Sequence, residues 1–188
     1  MEEKKEQTKQ LITAGLKEIM LSAPFEKITI RMIAEKAGII RPTFYYHFQD
    51  KYEVLEWIVS SELITPANEL IAQGRYMDGI KSVFSNVGAD RQFYKKAFEI
   101  GGQNAFSLIM ANEICKYISA FSEENINVAD KLPPFVSMDM LMRQCAMNFT
   151  NIIYMWVTMM PNTTVEEITR YFEYTVSNPW SGILGFDK

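Results

Sequence analysis

The sequence predicts an all-α protein, and three observations carry that expectation. Apolar residues recur at spacings of 3 and 4 along nearly the whole chain. No stretch alternates strictly between apolar and polar, as a half-buried strand does. Capping residues, prolines and glycines fall where helices of ordinary length start and stop. At 188 residues, 48% hydrophobic and 22% charged, the chain has enough apolar material to bury a core.

The first helix spans about residues 4–22, puts Ile12, Leu16, Ile19 and Met20 on one stripe, and stops before Pro24, which disfavours helical backbone in the residue preceding it. A short helix over about residues 31–36 follows, N-capped by Thr29, and Gly38 supplies the turn after it. A third, about residues 41–48, carries Pro42 in its first turn, where a missing amide hydrogen is harmless. Asp50 and Glu53 have capping-box spacing for a fourth helix with the stripe Val54, Leu55, Ile58 and Val59, bending or restarting at Thr65 and Pro66.

Met77, Ile80, Phe84 and Val87 continue the helical spacing, and Asp90 caps a short helix bearing Phe93, Ala97 and Phe98. Gly101, Gly102, Gln103 and Asn104 lack the strand context of a phosphate loop and form an interhelical turn. A helix over about residues 104–121 presents Leu108, Ala111, Cys115 and Ile118 on one side, and Pro133 and Pro134 sit in the next loop. Residues 137–160 hold only Asp139 and Arg143 as charges, in a helix about 36 Å long. That helix is apolar on most sides, so it is buried within its subunit and against a partner. Gln144, Asn148, Thr150 and Asn151 interrupt it too soon for a membrane span of roughly 20 residues. Thr164 and Glu167 form a capping box for a last helix, with Ile168, Tyr171, Phe172 and Val176, ending before Pro179.

The chemistry-bearing residues exclude several functions. A single histidine, His47, rules out triads that need a second imidazole and multi-histidine metal sites. Cys115 and Cys145, 30 positions apart, match no zinc or disulfide framework. The chain is therefore expected to be no enzyme, with no metal and no cofactor. Residues 1–10 are polar and charged without an apolar export core, which with the lack of a span predicts a cytoplasmic protein that does not engage a membrane. A net charge of -4 means that any nucleic-acid surface must be local.

Residues 29–48 supply such a surface. Two short helices joined by a tight glycine turn let the second project into a DNA major groove. Ala34 permits close crossing, and Ile33, Ala37, Ile39, Phe44 and Phe48 make the local core. Arg41, Pro42, Thr43, Tyr45, Tyr46 and His47 are left to face outward, and nearly all can donate a hydrogen bond or lay an apolar edge on a thymine methyl. Thr29, Arg31 and Lys51, with the first-turn amides of the fourth helix, are candidates for phosphate contact. Residues 25–51 hold five cations against three anions, a modest local excess within an acidic chain. Tyr45, Tyr46 and His47 also admit readings as partly buried aromatics or an internally bonded imidazole.

The segment ITIRMIAEKAGIIRPTFYYHFQDKYEVLEWI, residues 28–58, resembles the DNA-binding segment of the TetR family of bacterial regulators. The likeness lies in the Ile-Ala-x-x-Ala-Gly support helix, the Thr-Phe-Tyr-x-His-Phe recognition helix and the Asp-Lys-x-x-x-Leu entry to the fourth helix. It implies a homodimer in which Pro42, Thr43, Tyr45, Tyr46 and His47 approach DNA, Lys51 meets a phosphate, and the last two long helices form the dimer contact. Ile40 departs from the polar N-cap frequent in the family, and Pro42 compensates by presetting the first turn. Residues 91–106 resemble a smaller branch that includes activators of dihydroxyacetone kinase operons, in which a protein coactivator can replace a small-molecule effector.

The resulting expectation is a helix-turn-helix domain over residues 1–60 and a helical-bundle regulatory and dimerisation domain over residues 61–188. It is a sequence-specific transcriptional regulator, repressor or activator, working as a homodimer on a near-palindromic double-stranded operator. A small molecule or partner protein controls it. Gln144, Asn148 and Asn151 form an uncharged polar stripe that lines an effector pocket or bonds at an interface or within the chain. The competing expectation is an all-α ligand-binding or protein-interaction module that no longer binds DNA.

Overall fold

Helices make up the architecture, and no strand occurs among the described residues, which in this computed structural model are 2–125 and 132–178. In chain order they are α1 (Glu2–Met20), a 3-10 turn (Phe25–Lys27), α2 (Ile30–Lys36), α3 (Arg41–His47), α4 (Lys51–Ile58), a π-helical turn (Val59–Ile64) and α5 (Thr65–Ile71). Then come α6 (Tyr76–Ala89), α7 (Arg91–Ala97), a second 3-10 turn (Gly102–Asn104), α8 (Phe106–Asn125), α9 (Met138–Met159) and α10 (Val165–Ser177). The expected Pro179 boundary of the last helix lies outside the described residues, as does the rest of the 179–188 tail.

The N-terminal head forms because α1 buries Ile12, Leu16 and Met20 against Ile33, Phe44, Phe48, Val54, Leu55 and Ile58. The body is a helical bundle in which α8 packs on α9 and α6 packs on α5 and α10. Its centre is aromatic: Phe84 meets Phe149, Trp156 and Phe172 edge-on at 5.4, 5.7 and 6.2 Å between centroids. The Arg91 guanidinium lies over Trp156 and donates to the carbonyls of Trp156 and Met160, serving the acceptors that the end of α9 leaves free.

The interruption expected at Thr65 and Pro66 is the π-helical turn. Pro66 has no N–H for the carbonyl of Glu62, and the Asn86 side chain of α6 donates to that carbonyl instead, at 2.7 Å. The Thr65 hydroxyl and amide both turn to the Ser60 carbonyl. Helical backbone therefore runs on through the division expected at residues 60 and 61, tying head to body.

Several local expectations need correction. Glu53 accepts from the amide of Gln49, not Asp50, so only the Asp50 half of that box exists. Asp90 makes no side-chain cap, because its carboxylate takes Lys17 instead. On α8 Leu108 is exposed, whereas Ile109, Met110 and Ile114 join Ala111 and Cys115 inside. On α9 the sequence offers the apolar stripe Leu141, Cys145, Phe149, Ile152 and Trp156, but the buried face is Ala146, Phe149, Thr150, Ile153, Trp156 and Val157, and Cys145 faces out. A helix that is apolar nearly all round does not declare its inner face; packing against α8 selects it.

Candidate nucleic-acid interface

The second helix of the helix-turn-helix, α3, is set from beneath. The Thr29 hydroxyl caps α2 by accepting from the Met32 amide at 3.3 Å. Gly38 turns the chain at φ +68°, a conformation glycine adopts without strain, and the Ile39 amide closes the turn on the Ala34 carbonyl at 3.0 Å. Ile40 precedes α3 with no side-chain cap and Pro42 occupies its first turn, as the sequence implied. Phe44 and Phe48 are buried one turn apart with their rings 6.0 Å apart, which fixes the rotation of α3.

The opposite face is left free. Tyr45 is 50% and Tyr46 67% exposed, Arg41 and Pro42 are exposed, and Thr43 and His47 are half-buried. Arg41 reaches back over its own helix to the Tyr45 hydroxyl at 3.5 Å, so the two form one polar edge. Thr29 is exposed and its oxygen already accepts the cap bond, leaving its hydrogen to donate outward. Arg31 is solvent-facing, held only by an exposed ion pair with Glu35 at 3.7 Å, which costs little to exchange for another anion.

Lys51 is placed differently from the expectation of a phosphate ligand. Its ammonium donates to the carbonyls of Phe25 at 2.6 Å, Ile28 at 2.9 Å and Glu26 at 3.4 Å, and lies 4.4 Å from the Phe25 ring centroid. All three donors are spent on the 3-10 turn and its C-cap Ile28 before α2, and burial lowers its pKa. The first-turn amides of Tyr52 and Glu53 are likewise taken by Asp50. Lys51 is thus a strut that fixes the start of α4 relative to α2.

Two lysines the sequence reading did not single out stand on the same side. Lys5 of α1 lies 5.3 Å from the Tyr46 ring centroid, and Lys9 lies 5.9 Å from that of Phe48. Burial first, then Lys9 and Lys5, hold the His47 imidazole below its ordinary pKa. The signal for them was the helical stripe of α1, which buries Ile12 and Leu16 and so orients its first two turns towards α3.

Gln144, Asn148 and Asn151 are exposed on the outside of α9, where Gln144 donates to Asn148 at 2.9 Å. They line neither of two cavities formed by the described residues. The larger, about 420 Å³, opens between α4, the second 3-10 turn, α8 and α9 and is polar, with Glu56, Gln103, Asn104, Asn112, Glu113 and Lys116 in its wall. Among the described residues no cluster of histidine, cysteine, aspartate or glutamate could hold a metal, and no helix is long and apolar enough to cross a membrane.

Comparison with known proteins agrees with this geometry. Residues 12–58 match the profile described as bacterial regulatory proteins, tetR family. The chain is 32% identical over 103 residues to the HTH-type dhaKLM operon transcriptional activator DhaS of Lactococcus lactis subsp. lactis (strain IL1403), spanning about half the length of each (50% and 50%). A solved dihydroxyacetone kinase operon activator DhaS superposes with TM-score 0.58 at 19% identity, covering 90% of this chain and 92% of the other. Thermus thermophilus FadR, a TetR-family transcriptional repressor solved in complex with lauroyl-CoA, superposes with TM-score 0.55 at 17% identity, over 90% of this chain and 91% of that one. These relatives are regulators, not enzymes. Residues 12–58 are thus similar to the tetR family of bacterial regulatory proteins, and the chain as a whole shares the all-α fold of the solved regulators.

Proposed function

We propose that the protein is a sequence-specific transcriptional regulator that binds a near-palindromic operator as a homodimer. One observation carries this reading: Phe44 and Phe48 bury one side of α3 and thereby hold Arg41, Pro42, Thr43, Tyr45, Tyr46 and His47 on the other. Arg31, the Thr29 hydroxyl, Lys5 and Lys9 flank that face and supply phosphate contacts, while Lys51 orients the frame. Two such helices read successive major grooves about 34–36 Å apart.

Dimerisation uses α9 and α10. Met140, Met147 and Met159 on α9 are 62%, 50% and 63% exposed, and Tyr171 and Tyr174 on α10 are 40% and 56% exposed. Single exposed apolar residues are ordinary, but such a set on neighbouring helices supports an interface with a second copy. Gln144, Asn148 and Asn151 then find hydrogen-bond partners across it. The polar cavity beside α4 suits a water-soluble effector better than an acyl chain, and a partner protein that prefers one head spacing acts by the same shift of populations. Blocking polymerase represses and recruiting it activates, so either sign suits this geometry.

The test is selection of bound fragments from random duplex DNA, followed by titration against salt. Log affinity falls linearly with log salt, Arg31→Ala reduces the slope by about one, and Thr43→Ala or Tyr45→Ala changes sequence preference. Equal binding of wild type and variants to scrambled duplexes overturns the reading.

A further inference from the structure

Three segments converge on the Lys17 ammonium. Lys17 lies near the end of α1, Glu62 lies in the π-helical turn, and Asp90 lies between α6 and α7. The ammonium donates to Glu62 Oε2 at 2.5 Å and Asp90 Oδ2 at 2.8 Å, and sits 4.8 Å from the Phe93 ring centroid. The Lys17 side chain is only 17% exposed, so solvent screens this contact less than it screens Arg31–Glu35, whose partners are 74% and 68% exposed. The same π-helical turn is tied to α6 by Asn86 through the carbonyl of Glu62.

Beside this cluster the packing is incompletely satisfied. Tyr94 on α7 is fully buried and its hydroxyl has no hydrogen-bond partner. Burial raises its pKa well above the ordinary value, and the nearby carboxylates of Glu62 and Asp90 push it the same way. Thr13, one turn before Lys17 on α1, also keeps a buried hydroxyl without a partner. Buried polar groups are normally paired; Tyr94 and Thr13 are two of three described side chains whose buried hydroxyls lack a partner, the third being Thr150 on α9.

We infer that Lys17 is a positioning residue, a latch setting the angle of the helix-turn-helix head against the body, and that the Tyr94 hydroxyl competes with it for Glu62 and Asp90. In the latched arrangement the carboxylates accept from Lys17 and the tyrosine goes unpaired. In the open one the tyrosine donates to a carboxylate and the ammonium returns to water. A partner exchange of this kind leaves two arrangements close in energy, and the π-helical turn is where the backbone yields. The effect on DNA rests on the regulator reading above; the motion itself does not.

Hydrogen exchange on the full chain tests the motion. Lys17→Met raises amide exchange across residues 59–71 by about tenfold and leaves α2 and α3 unchanged, Lys17→Arg restores protection, and Tyr94→Phe slows exchange there. Exchange that rises equally in α2 and α3, or does not change, makes Lys17 merely structural and overturns the latch. Exchange that is unchanged or faster in Tyr94→Phe removes the tyrosine from it. With selected DNA, Lys17→Met lowers affinity for a duplex carrying both half-sites about tenfold and leaves binding to a single half-site unchanged, because only the former needs both heads placed in advance. Equal losses on both duplexes contradict head positioning. If the wild-type protein selects no DNA, the regulator reading falls while the exchange measurements still decide the latch.

Discussion

Lys51 shows how one side chain changes meaning between sequence and space. In sequence it is a cation at the start of a helix close to the α3 segment; in the folded chain its ammonium is enclosed by the carbonyls of Phe25, Glu26 and Ile28. Lys51→Met keeps the stem but strands those acceptors, so it costs about 1–3 kcal/mol and lowers the melting temperature by several degrees. The salt slope of DNA binding stays at its wild-type value in that variant; a slope reduced by one unit, with stability intact, returns Lys51 to the phosphates. His47 gives a second residue-scale prediction. Its folded pKa lies below the ordinary 6.5, so between those two values the unfolded chain holds more protons. Its contribution therefore makes stability rise with pH across that window and fall as the medium is acidified below about pH 6.5. His47→Gln removes this part of the difference in melting temperature between about pH 7.5 and about pH 5.5, and an unchanged difference shows that folding does not lower the imidazole pKa.

Among the helices, the contact of α5 with α6 depends on a residue without a side chain. A Cβ on Gly79 would stand 2.7 Å from Ile71 Cγ1 and 2.9 Å from the carbonyl oxygen of Ala67, and a helix backbone oxygen cannot step aside as a side chain can. Alanine ordinarily favours a helix over glycine by about 1 kcal/mol, yet here overpacking costs about 1–3 kcal/mol. Gly79→Ala is therefore destabilising by urea denaturation, and a raised midpoint would mean that α6 can move off α5 freely. The interrupted rod of α4, the π-helical turn and α5 follows from Pro66, whose missing donor frees the Glu62 carbonyl for Asn86. The proline was visible in the sequence, but Asn86, which serves the freed Glu62 carbonyl from another helix 24 residues beyond Glu62, was not.

The whole molecule combines the polar, aromatic face of α3, proposed to read DNA, with exposed apolar side chains on α9 and α10 in a single chain of net charge -4. The proposed dimer uses the second set and leaves the α3 faces of both copies free for one duplex. Met147→Glu with Tyr174→Glu places carboxylates on the proposed contact, so the protein sediments as a monomer at micromolar concentration. Affinity for a full operator then falls towards that for one half-site. A doubly substituted protein that remains a dimer with undiminished affinity locates the interface elsewhere.

Short-range devices in the sequence were enough to specify the helices and the helix-turn-helix. Helical period, the Thr29 cap, the Gly38 turn, Pro42 and the Thr164 capping box are local devices, satisfied within a few residues, and the structure contains each of them. Tertiary structure decided what depends on partners distant in the chain. It chose which side of the nearly all-apolar α9 turns inward and left Gln144, Asn148 and Asn151 outside. It spent Lys51 on backbone carbonyls and brought Lys17, Glu62 and Asp90 together from separations of 45 and 73 residues. A cap is a contact between neighbours and can be read from spacing; the partner of a long cation is set by the packing of helices, which spacing along one chain does not encode.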